Sequence, residues 1–143
     1  MKFGLNYHLP CLESQSPVQR YRDTIEQSVY GEALGFESVW PVEQHFAAHL
    51  SMLSAPFLML AAVAERTRAM RLGVAVTLLP LWHPIRLAEE IATLDVISNG
   101  RVEFGVGRGA FPQHFAGFGI DLAAVLSRGP SASIRSRPII SDS

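Results

Sequence analysis

"LGVAVTLLPLWHPIRLAEEIATLDVISNGRVEFGVGRG", residues 72–109, runs from an apolar stretch through a helical period into a second apolar stretch, and that order decides the fold. Val74-Ala75-Val76-Thr77-Leu78-Leu79 does not alternate with polar residues, so 72–79 reads as a strand buried on both faces, as parallel strands are. Pro84 opens a helix on which Leu87, Ile91 and Leu94 keep three- and four-residue spacing, and Asn99-Gly100 closes it. Residues 101–106 form the next strand. Strand, crossover helix and strand make a βαβ unit, whose two strands are parallel.

The same alternation extends toward the N-terminus. Residues 2–7 and 38–42 read as strands, and starts recur at roughly thirty to thirty-six residues, the length of a βα unit. Between them Val18, Tyr21, Ile25 and Val29 mark an amphipathic helix with Arg20, Arg22, Asp23 and Glu26 on its other faces and Gly35 as its stop. Pro56 opens another helix through Leu60, Ala61 and Ala64. The chain is therefore expected to be α/β with a parallel sheet, comprising three complete units and a fourth strand. Beyond Asp121-Leu122 the pattern stops: residues 127–138 are rich in Ser, Arg and Pro and keep no period. A partial domain over 1–122 and a disordered, frameshifted tail over 123–143 are expected.

A chain of 143 residues with 48% hydrophobic residues suits one compact domain. Its net charge of -1 supplies no basic field, so neither nucleic acid nor an anionic membrane is expected as a partner. Cys11 is the only cysteine, which leaves no internal disulfide and fits a reducing, cytoplasmic setting. Met1-Lys2 leads directly into Phe3-Gly4-Leu5 without the apolar region of a signal peptide. The most apolar window, 50–64, falls short of the roughly 20 residues a bilayer needs and reads as a buried helix.

Gly105, Gly107 and Ala110 formally spell G-x-G-x-x-A after a strand, the position of a dinucleotide fingerprint. Such a fingerprint must open a helix, and Phe111-Pro112, Gly117 and Gly119 oppose one. His45 and His49 have the i, i+4 spacing of a helical zinc pair but enclose no Glu, and no third ligand is evident. No metal is expected. His8, His45 and His83 instead fall just past the C-terminal ends of strands, and His114 lies in the loop after the fourth, the edge where parallel α/β folds bind ligands. No G-x-S-x-G occurs, and Lys2 is the only lysine, so a hydrolase elbow, a Walker lysine and a Schiff base lack their parts. Glu89-Glu90 reads as a solvated helix face.

"KFGLNY" at the start, "GFESVWPVEQHF" over 35–46, the stretch over 72–109 and "FGID" from Phe118 together resemble the bacterial luciferase-like family of flavin-dependent monooxygenases, over about residues 1–122. The resemblance implies the N-terminal half of a (β/α)8 TIM barrel, a fold of roughly 250 residues. It also implies reduced FMN and O2 oxygenating a small organic substrate, with a flavin reductase supplying the cofactor. Glu43-Gln44-His45 falls on the family's Glu-His-His segment. His45 is the implied proton-transfer residue, Gln44 replaces the other histidine, and Glu43 belongs to the cofactor site. Ala75-Val76 falls where the family has a non-prolyl cis peptide against the flavin ring. Gly107 and Arg108 fall on the strand-four segment lining the flavin, where Arg108 pairs with its phosphate or another acidic group.

Two alternatives stay open. A deazaflavin (F420)-dependent member of the superfamily would transfer hydride without O2. A non-catalytic half barrel would leave two strand edges unpaired and complete itself as a homodimer.

Overall fold

The computed structural model describes residues 1–127. Strands and helices alternate as β1 (Gly4–Tyr7), α1 (Pro17–Ala33), β2 (Ser38–Pro41), α2 (Pro56–Arg66), β3 (Arg71–Gly73), β4 (Thr77–Leu78), α3 (Pro84–Ser98), β5 (Val102–Glu103), β6 (Val106–Gly107), α4 (Pro112–Gly117) and α5 (Leu122–Ser127). All pairings are parallel, in the order β1-β2-β3-β5 with β4 beside β6. The fold is α/β with parallel strands alternating with helices, the arrangement of the N-terminal half of a (β/α)8 barrel.

The local chemistry explains each helix. Proline stands first in α1, α2, α3 and α4, where its missing N–H leaves no bond unmade. Ser16 caps α1 by accepting the Gln19 N–H at 3.1 Å, and α3 ends on Asn99 in the left-handed region, φ 57°. The core lies between sheet and helices, where Val39 and Leu72 meet Leu60 and Val63 of α2 and Leu87, Ile91 and Leu94 of α3.

Several expectations need correction. The strand read over 72–79 is two strands, because the backbone leaves the ladder at residues 74–76, where the Ala75–Val76 peptide is cis. The strand read over 101–106 is likewise divided into β5 and β6. Burial on both faces does not hold for the first two strands: Gly4 and Asn6 are exposed and Ser38 and Trp40 half-buried, while Val39 and Pro41 face the helices and are buried. On that inner face the ring of Trp40 lies so close to Gly73 that a Cβ there would sit 2.2 Å from it. The buried face of α1 is Thr24, Ser28 and Gly31, and Val18 is exposed. Within 50–64, helix begins only at Pro56.

Phe111-Pro112 does not oppose a helix but opens α4, and α5 carries regular structure to Ser127, past residue 123. From residue 128 onward the expected tail lies outside the described residues. Among the described residues no helix is long and apolar enough to cross a membrane.

Candidate functional site

Strand ends at the C-terminal edge of a parallel sheet release loops toward one another, and ligands bind at that edge. After β2, Val42 N–H still donates to Tyr7 O at 3.0 Å, and two residues later Gln44 N–H donates to Leu53 O at 2.9 Å. Glu43 and its neighbours are thereby held from both sides.

The buried Glu43 carboxylate joins three segments. Its Oε2 accepts the Leu78 N–H at 2.8 Å, and its Oε1 accepts the Trp82 indole N–H and His45 Nε2, each at 2.9 Å. A carboxylate only accepts, so His45 carries a hydrogen on Nε2, and its Nδ1 is turned away from Glu43. The His45 ring meets Phe118 edge-on at 4.9 Å between centroids and His114 at 5.6 Å.

His114 on α4 is buried. Its Nε2 lies 3.0 Å from Gln44 Nε2 and 3.4 Å from the His45 backbone nitrogen, while its Nδ1 has no hydrogen-bond partner. Burial, then the neighbouring His45, holds its pKa below the ordinary imidazole value. Phe46 holds the left-handed φ of 55° and lies over Gly117, where a Cβ would sit 2.2 Å from its ring.

On the adjoining strands, Ala75 and Val76 are half-buried and joined by the cis peptide, and Val76 packs on Gly107. A Cβ at residue 107 would stand 2.4 Å from Val76 Cγ2, so only glycine permits that contact. Thr77 on β4 pairs with Val106 on β6, two residues before Arg108. Thr77 Oγ1 and Arg108 Nε are both buried without a hydrogen-bond partner.

The structure thus brings Glu43 to His45, and Ala75 and Val76 to Gly107, with Arg108 next in the chain. Of the other rim histidines only His114 joins them. His8 is exposed and offers its carbonyl to Arg20, and His83 is exposed at the start of α3. His45 and His49 lie on an irregular loop, so their helical zinc spacing does not exist. Glu89 and Glu90 pair with Arg86 on a solvated face. Sequence reasoning missed Trp82 and the Leu78 N–H as partners of Glu43. An indole N–H just past a strand needs an acceptor when covered, and that need was the available signal.

A family model for luciferase-like monooxygenases matches residues 1–130. The oxygenase component of flavin-dependent trigonelline monooxygenase from Acinetobacter baylyi is 38% identical over 112 residues, covering 78% of this chain and 31% of that protein. The oxygenating constituent of 3,6-diketocamphane monooxygenase from Pseudomonas putida, a type II Baeyer-Villiger enzyme solved in complex with FMN, superposes with a TM-score of 0.80 at 31% identity, over 87% of this chain and 34% of its own. The coenzyme F420 dependent tetrahydromethanopterin reductase from Methanopyrus kandleri gives 0.61 at 26% identity, over 85% and 30%. The chain spans about a third of the length of the curated relatives it matches.

Proposed function

The chain belongs to the luciferase-like monooxygenase family, and from that premise we propose that it forms part of a site at which reduced FMN and O2 oxygenate a small organic substrate. The observation that carries this reading is the buried Glu43–His45 pair at the C-terminal edge of the strands. The residues present fit a flavin. Arg108 has a covered Nε with no acceptor, which suits an anionic phosphate, and the Thr77 hydroxyl on the adjoining strand is likewise unpartnered. Bound reduced flavin supplies the electrons that O2 accepts.

The chain's own residues do the rest. Glu43 orients His45 through Nε2, and His45 Nδ1 holds or returns a proton at the rim. Ala75, Val76 and Gly107 form a close-packed wall that would take the flavin, and Phe46 and Phe118 pack against the His45 ring. A separate reductase delivers the reduced flavin, a second copy of the chain is the partner at the open strand edges, and the setting is cytoplasmic. The relative's description as an oxygenase component supports the first of these.

Fluorescence titration with FMN tests the reading on the chain itself. Arg108→Ala is expected to weaken binding by about 1.5–3 kcal/mol, roughly 10- to 150-fold, as for a charge-assisted hydrogen bond. An unchanged dissociation constant removes Arg108 from the site. Likeness to the F420-dependent reductase supports a second reading, hydride transfer with a deazaflavin. Titration with F420 beside FMN separates the two: tighter deazaflavin binding would transfer the proposal to that chemistry.

A further inference from the structure

His114 is 1% exposed, and its state is set by what meets Nε2. The Gln44 side-chain nitrogen, 3.0 Å away, only donates, and so does the His45 backbone nitrogen at 3.4 Å. A ring nitrogen facing two donors offers its lone pair. The hydrogen of the neutral ring is then on Nδ1, whereas an imidazolium would set an Nε2–H against two N–H groups. The ionisable groups acting on the ring are His45 and Glu43, both from the loop after β2. Burial and then the charge of the His45 ring oppose a charge on His114, the His45 backbone and Glu43 favour one, and the opposing influences prevail.

We propose that Gln44 and the His45 backbone lock His114 as the neutral Nδ1–H tautomer, and that the locked ring is a positioning residue which fixes the His45 backbone. The consequence for proton transfer rests on the flavin reading above; the lock itself does not. Position 44 gains a task that its departure from the family's histidine left unexplained. A second imidazole there would face His114 with a ring that changes charge near neutrality, whereas an amide donates its hydrogen regardless of pH.

Long-range 1H–15N NMR on the labelled full chain reads both rings. At neutral pH His114 is expected to show an N–H at Nδ1 and a lone-pair nitrogen at Nε2. Gln44→Glu replaces the donor by a carboxylate. His114 should then move its hydrogen to Nε2, its titration midpoint should rise by about one unit or more, and the His45 amide proton should shift upfield as its bond is lost. A wild-type His114 that carries hydrogen on Nε2, or is an imidazolium at neutral pH, overturns the lock even where the variant does not fold. So does a folded Gln44→Glu chain in which His114 is unchanged. Titration of the same sample with FMN keeps the two proposals apart. A locked His114 in a chain that binds no flavin counts against the functional reading alone, and flavin binding with Nε2–H on His114 counts against the lock alone.

Discussion

Glu43 gathers three donors that come from 2, 35 and 39 residues away in sequence. Glu43→Ala would leave the Trp82 indole, the Leu78 amide and His45 without their acceptor in a covered place. The expected cost is about 3 kcal/mol or more, since each orphaned buried donor loses the full solvation it gave up on folding. Glu43→Gln keeps one oxygen but turns an N–H2 toward donors, and an intermediate loss is expected. Urea denaturation of the three chains checks the order, and an alanine variant as stable as the parent would show that these bonds hold nothing together. The legible part of the site was local. Glu43 and His45 sit two residues apart in one motif, and Gly107-Arg108 in another, so the resemblance reached them. Trp82 and the Gln44–His114 contact arise from folding, the latter across 70 residues, and no spacing in the sequence encodes it.

Elements were legible where backbone chemistry is written in residue types. Pro56 and Pro84 mark two helix starts correctly, and the same rule applied to Pro17 and Pro112 finds the starts of α1, which was read from its apolar spacing, and of α4, which Gly117 and Gly119 argued against. The division of two strands was not legible, because an apolar run reports burial and not where the ladder bonds lapse. Equally silent was the clamp at the opposite edge of the sheet. Glu32 near the end of α1 accepts the N–H groups of Arg68, Ala69 and Met70, each at 2.7–3.0 Å, and so fixes the turn that feeds β3. Burial opposes ionisation of Glu32, but the three backbone donors outweigh it and hold its pKa below the ordinary 4.5. A carboxyl whose folded pKa is depressed stabilises the fold above its unfolded pKa and ceases to do so as pH falls through the folded one. Glu32→Gln is therefore expected to cost about 1 kcal/mol at neutral pH, a small figure because the group is partly solvated. The gap in urea midpoint between parent and variant should narrow as pH drops below 4.5. A gap that stays constant into acid would assign the clamp to shape and not to charge.

At the scale of the molecule, parallel pairing and the helix layer followed from the βα period, but the burial of the sheet did not. Val39, Pro41 and Leu72 are covered by helices as a doubly buried strand requires, whereas Gly4, Asn6 and Trp40 look onto an inner face that no described element fills. At the sheet margins β1 pairs only with β2, and β5 only with β3, so each presents a row of backbone groups without a strand partner among the described residues. Unpaired edges and an uncovered inner face are each relieved by a second chain. Self-association of the 143-residue chain is the expected outcome, read as a sedimentation coefficient that rises with concentration. Asn6→Pro bears on the mode of association, because a proline in β1 removes one edge donor while leaving the composition of the helix faces untouched. Loss of association in that variant, with its circular dichroism preserved, would place the contact on the β1 edge. Association that persists would move it to the inner face or the outer helices, and a parent chain that stays monomeric at every concentration would show that the open sheet tolerates water.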